Sequence, residues 1–166
     1  MIVKHKDQAV AIFIDVQNLY YSARHLYSKK VNFSEIVRTA LANRKLIRAI
    51  AYVVSTKGGE ERPFFEALSK IGIETKEKEL QEFFGGAKKA DWDVGIAIDM
   101  VRVCPNVNAV VLVSGDGDFA PVIEYVKSQG KQAEVISFGR TTSLKLKEAA
   151  DDFIDIDKNA KKYLLK

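Results

Sequence analysis

Residues 109–120 read AVVLVSGDGDFA, and the change of character at Ser114 decides the fold. Ala109–Ser114 is apolar and β-branched without polar alternation, as expected of a strand covered on both faces. Gly115-Asp116-Gly117-Asp118 then forms a tight acidic turn. From Phe119 to Gln129 the apolar residues recur at helical spacing, Gly130 closes that helix, and Lys131–Ser137 is again a strand. Strand, helix and strand in this order form a right-handed crossover, the unit from which parallel sheets are built.

The same alternation extends in both directions. AVAIFID (residues 9–15) reads as a second strand buried on both faces, followed by a helix over Leu19–Tyr27. Phe33–Asn43 reads as a helix capped by Ser34, Ile47–Ser55 as a strand, and Glu60–Ile71 as a helix closed by Gly72. Gly72–Leu80 alternates and is charged, which suits an edge strand. Asp93–Cys104 is helical and stopped by Pro105, Thr141–Ala150 is helical, and Phe153–Ile156 is a short last strand. Phe83–Lys89 (FFGGAKK) is expected to be the most flexible stretch. The whole chain, residues 1–166, thus reads as one α/β domain with a mainly parallel sheet. Its core spans about 8–157, and a basic tail over 158–166 frays into a helix.

Composition narrows the chemistry. At 166 residues with 47% hydrophobic content, the chain can bury a core without cross-links. Cys104 is the single cysteine, and His5 and His25 match no ligand spacing, so neither a disulfide framework nor a zinc site is expected. No stretch reads as a signal peptide or reaches a membrane span, so a soluble, cytoplasmic protein is expected. The net charge of +4 is uneven: nine Lys/Arg stand against three acids in residues 1–50, and Lys158, Lys161, Lys162 and Lys166 crowd the tail. A basic surface favours a polyanionic partner.

Ligands of open parallel sheets bind outside the carboxyl ends of the strands, where the strand order reverses. Both fully apolar strands end in acid there. AVAIFID ends at Asp15, with Asn18 close behind, and AVVLVS runs into Asp116 and Asp118. Asp91-Trp92-Asp93 opens the helix that precedes the second of them. Each acid has a plainer reading as a helix cap. Against it, only one of Asp116 and Asp118 can cap, and acids gathered at one edge repel unless a cation or protons neutralise them. Oxygen donors without His or Cys suit Mg²⁺ or Mn²⁺. Such an ion polarises phosphate oxygens and lowers the pKa of water. Lys57, Lys88 and Lys89 are candidates to hold a substrate backbone at the rim. Asp99 lies in the apolar helix DVGIAIDMVRVC and needs a partner if buried, with Arg102 or a loop lysine as candidates. Trp92 is read as packing rather than as a stacking surface.

Four segments resemble the NYN domain, the LabA-like branch of the PIN-like nucleases. They are FIDVQNLY (13–20), KKADWDVGIAID (88–99), VLVSGDGDFAPVI (111–123) with a Gly-Lys strand start after it, and SLKLKEAADDFIDI (143–156). They occur in the family's order and cover roughly residues 8–157. The resemblance implies a three-layer α/β/α sandwich of PIN-like, Rossmann-like topology and a metal-dependent ribonuclease acting on RNA, single-stranded by expectation. It carries Asp15, Asp93, Asp116 and Asp118 over as metal-binding and catalytic acids. Asn18, Ser114 and Asp99 become supporting residues. Asp91 falls outside the pattern and is left as a cap. A homodimer is compatible with all of this.

Three rival readings compete with this one. Gly115-x-Gly117-x-x-Ala120 formally fits a dinucleotide fingerprint, but Asp116 and Asp118 would face a pyrophosphate with like charge. A haloacid-dehalogenase-like phosphatase requires an acid two residues past its nucleophile, where this chain has Gln17. A non-catalytic RNA-binding or regulatory module would be marked by loss of an acid, and none is missing.

Overall fold

The computed structural model describes residues 2–55, 61–79, 81–82, 88–89 and 91–166. Lys57 and residues 83–87 of the glycine-lysine loop lie outside the described residues, as do the side chains of Lys88 and Lys89. Six strands, β1 (Ala9–Asp15), β2 (Lys45–Ser55), β3 (Glu74–Glu79), β6 (Ala109–Val113), β7 (Gln132–Ser137) and β8 (Asp152–Asp155), form one parallel sheet in the order β3-β2-β1-β6-β7-β8. Between β3 and β6 in the chain, β4 (Gln81–Glu82) and β5 (Lys88–Lys89) pair antiparallel as a short ribbon.

Helices cover both faces of the sheet. Because side chains alternate along a strand, Val10, Ile12 and Ile14 of β1 enter one core and Ala11 and Phe13 the other. The first core is closed by α1 (Val16–Tyr27), α2 (Phe33–Leu41) and α3 (Arg62–Lys70), which contribute Leu19, Ile36 and Leu68 among others. The second is closed by α4 (Asp93–Val103), α5 (Ala120–Ser128) and α6 (Leu144–Ala149), through Ile96, Met100, Ile123 and Leu146. This is a three-layer α/β/α sandwich. The charged strand β3 lies at the edge next to β2, where its alternation keeps one side wet.

Helix ends account for most departures from the sequence reading. Asn32, not Ser34, caps α2, its side chain accepting from the Glu35 N–H at 3.3 Å. That helix stops at Leu41 because Ala42 and Asn43 turn left-handed. Gly72 (φ +85°) and Gly130 (φ +79°) come just after α3 and α5 as expected, in the backbone region that glycine enters without strain.

The basic tail is not an appendage. Helix α7 (Ala160–Tyr163) docks on α2, with Tyr163 and Leu164 buried. The Asn32 N–H donates to the Tyr163 carbonyl at 2.8 Å, the Leu165 N–H donates to the Lys30 carbonyl at 2.8 Å, and Val31 pairs with Leu164. Two apolar side chains among the lysines, Tyr163 and Leu164, join the first core and so place the segment inside the domain.

Candidate functional site

The chain runs from β1 outward through β2 to β3, then returns to lay β6 against the other side of β1. The strand order therefore reverses between β1 and β6, and the crevice beyond their carboxyl ends is where such sheets bind ligands. Register places Ile14 opposite Val113, so Asp15 and Ser114 emerge side by side. Ser114 donates from Oγ to Asp15 Oδ2 at 3.1 Å and accepts the Asp116 N–H at 3.2 Å. Asn18 Oδ1 accepts the Gly115 N–H at 2.9 Å, tying α1 to the acidic turn. Asp116 Oδ1 accepts the Asp118 N–H at 2.9 Å, so Asp116 caps the short 3-10 turn Gly117–Phe119 and the exposed Asp118 keeps its carboxylate free of that role.

Helix α4 delivers the remaining acids. Asp91 accepts the Asp93 N–H at 3.0 Å, which sets the first turn of α4 and aims Asp93 at the acidic turn. Asp93, Asp116 and Asp118 each present one oxygen, and the three atoms lie within 4.8 Å of one another. Asp15 stands beside this trio and does not join it at that spacing. It borders the same cleft of about 400 Å³ with Asn18, Asp91, Asp93 and Asp116. The capping role considered for Asp15 is also real, since its side chain accepts from the Asn18 N–H at 3.3 Å.

Crowding of charge shows in the protonation of the site. Burial, with the charges of Asp116 and Asp91 adding to it, pushes the Asp15 carboxyl up to about 6 against the bonds from Asn18 and Ser114. Burial and a hydrogen bond shared with Asp116 push Asp93 up to about 7. Both groups hold protons in the folded chain at pH values where the unfolded chain, with carboxyls near 3.8, has released them. Their contribution to stability is fully present below about pH 4 and is lost as pH rises through about 6 and 7, on the order of 3 kcal/mol for Asp15. In chelator-containing buffer the melting temperature should therefore fall between pH 5 and pH 7.5, and Mg²⁺ or Mn²⁺ should raise it most at the higher pH. A melting temperature that climbs across that interval without added metal would contradict this.

A cation answers the crowding. Oxygens bound to one ion at about 2.1–2.4 Å stand no more than about 4.2–4.8 Å apart, and the trio meets that spacing with hard donors only. The residues present fit a divalent cation bound by oxygen. Helices α1 and α4 both start at the cleft, and their N-terminal dipoles favour the carboxylates there.

Asp99 is held elsewhere. It accepts from Lys76 Nζ of β3 and from the Tyr52 hydroxyl, each at 2.7 Å, while Arg102 stands at 4.0 Å. Burial opposes its charge, yet the bonds from Lys76 and Tyr52 prevail and hold the carboxyl below its usual range. Its partner thus comes from neither the loop nor chiefly its own helix. Asp99 is not among the described residues lining the cleft, and its partner Tyr52 meets the cleft residue Trp92 with ring centroids 5.3 Å apart. Trp92 donates its indole N–H to the Val53 carbonyl at 2.9 Å and packs as read from the sequence. Sequence reasoning left Asp91 as a cap only. The Asp-x-Asp spacing shared by Asp91-Asp93 and Asp116-Asp118 was the signal that both turns face one centre.

The glycines of the acidic turn permit close approach. A Cβ on Gly117 would lie 2.6 Å from Ser143 Oγ and 2.9 Å from Ser143 Cβ. Gly117→Ala should destabilise the fold by about 1–3 kcal/mol in urea unfolding. Adding Ser143→Gly should recover most of that loss, and no recovery would place the strain elsewhere.

A Rossmann-like sandwich with an all-aspartate centre at its switch point is the architecture of the PIN-like nucleases. The NYN domain model matches residues 9–157, and the chain belongs to the NYN domain family. It is 30% identical over 159 residues to the low amplitude and bright protein LabA of Synechococcus elongatus, covering 89% of this chain and 83% of that protein. A crystal structure of a protein of unknown function from Vibrio parahaemolyticus superposes with a TM-score of 0.87 at 33% identity. The match covers 99% of this chain and 100% of that one. NYN domains are PIN-like nucleases, typically dependent on divalent metal and generally nucleic-acid-binding. Among the described residues no helix is long and apolar enough to cross a membrane.

Proposed function

We propose that this protein is a metal-dependent ribonuclease, hydrolysing RNA phosphodiester bonds at the cleft between β1 and β6. The observation that carries the reading is the convergence of Asp93, Asp116 and Asp118 oxygens within 4.8 Å beside a protonation-prone Asp15. Asp15, Asp93, Asp116 and Asp118 would hold Mg²⁺ or Mn²⁺. When bound, such an ion activates water and stabilises the leaving oxyanion.

The chain's own residues prepare the site for that. Ser114 fixes the Asp15 carboxylate and the backbone of Asp116 with one hydroxyl, and Asn18 fixes Gly115, so the acids are placed by rigid strand ends. Asp93, whose carboxyl burial and Asp116 push up to about 7, would hold such a cation in its deprotonated form. Lys57, Lys88 and Lys89 are proposed to hold the RNA backbone, in keeping with a polyanionic substrate and cytoplasmic location. Incubating single-stranded RNA with Mg²⁺ or Mn²⁺ tests the reading, with wild type compared against Asp116→Asn. Cleavage by both proteins alike, or by neither at high concentration, would sink it.

A further inference from the structure

Helix α1 carries two adjacent tyrosines that the core does not use. Its buried side is Val16, Leu19, Ser22 and Ala23. Tyr20 and Tyr21 are 44% and 58% exposed. Large aromatic surface left in water on a helix that already has an apolar face needs another reason to be there.

The two rings form one unit. They meet edge to face, with centroids 5.6 Å apart and planes at 74°, and Arg24 stands 3.5 Å from the Tyr20 hydroxyl one turn on. Tyr20 thereby braces Tyr21 from the side. Tyr21 is one turn beyond Gln17 and Asn18 and borders the acidic cleft with them. Trp92 borders the cleft too, but its indole N–H is spent on Val53, its ring meets Tyr52, and Lys78 Nζ sits 4.4 Å from its ring centre. Among the described residues bordering the cleft, Tyr21 is the aromatic ring with a face left open.

Charge decides what that face can take. Asp15, Asp91, Asp93 and Asp116 repel a phosphate that comes without a cation, whereas the face of a nucleobase is neutral and stacks on tyrosine whatever its sequence. We propose that Tyr21 is the base-stacking platform of the cleft. It receives an unpaired nucleobase adjacent to the phosphodiester presented to the carboxylates. The exposed Arg24, farther along the same helix face, meets the next phosphate. Bases in a duplex have both faces covered by their neighbours, so the platform selects single strands. This rests on the nuclease reading of the same cleft and adds what the substrate must offer it.

The test is rapid mixing of the full chain and Mg²⁺ with a short oligoribonucleotide carrying 2-aminopurine, whose fluorescence is quenched by stacking. Cleavage is monitored in the same reactions. Wild type and Tyr21→Phe should quench alike, and Tyr21→Ala should lose the quench with KM raised roughly 10- to 100-fold and kcat changed far less. The same strand in a duplex should not quench. Undiminished quench and unchanged KM in Tyr21→Ala, or equal quench by the duplex, would overturn the platform. Cleavage without any quench leaves the nuclease standing and the platform refuted. Quench without cleavage does the reverse, and the absence of both refutes both.

Discussion

Asp116→Asn should lower RNA cleavage about a thousand-fold, the several kcal/mol a divalent ion supplies to a phosphoryl transition state, without weakening the fold. Asp116 is the acid through which the others communicate. It shares a hydrogen bond with Asp93, its charge raises the Asp15 carboxyl, and it lies in the trio with Asp118. Asparagine keeps the shape and the Oδ1 that accepts from the Asp118 N–H, so the turn survives. It removes one negative charge from a crowded cleft, so the metal-free variant should melt at or above the wild-type temperature at pH 7.5. The stabilisation of wild type by Mg²⁺ or Mn²⁺ should shrink in parallel. A variant that loses activity by unfolding, or one that keeps the full metal-induced shift, would show that Asp116 is structural and not a ligand.

Breaking the pair at the other end of the sheet should have the largest effect on stability. Arg44 and Glu134 are 5% and 1% exposed and form a two-pronged ion pair, with both N–H···O distances at 2.8 Å. The guanidinium also donates to the carbonyls of Ala40 and Leu41 and to Gln8. Arg44→Met leaves Glu134 buried with Lys4, at 3.6 Å, as its one remaining ion-pair partner among the described residues. Loss of about 3–5 kcal/mol is expected, a fall in melting temperature on the order of 10 °C for a domain of this size. Pairing Arg44→Met with Glu134→Leu should recover most of it, because the penalty lies in the orphaned charge. Cleavage by the folded fraction should be unchanged, since the pair lies near the amino ends of the strands and the acids lie at the carboxyl ends. A single variant as stable as wild type would show that water reaches Glu134.

The range of each interaction set how much of this was legible in the sequence. The strands β1 and β6 were visible because burial on both faces leaves an uninterrupted apolar run, and the acids at their ends were visible because the run stops there. The cap of α2 was misplaced because Asn32 and Ser34 are both good caps, and only the observed bond to the Glu35 N–H chooses between them. The 158–166 segment read as a tail because four of its nine residues are lysines. Docking depends on Tyr163 and Leu164 finding α2 and Val31, far away in the chain.

The sequence by itself determined an α/β domain with a parallel sheet, and it placed acidic side chains at the carboxyl ends of its most buried strands. Those properties are local, written in burial periodicity and in the residues that end each apolar run. Only the tertiary structure decided that β6 returns beside β1. That return makes the switch point and puts Asp15 next to Ser114, Asp93 against Asp116 and Asp118, and Tyr21 at the border of the same cleft. It also gave Asp99 to Lys76 and Tyr52, and Arg44 to Glu134. Each of these pairs joins residues distant in the chain, and their meeting depends on strand order and register, which no local pattern encodes.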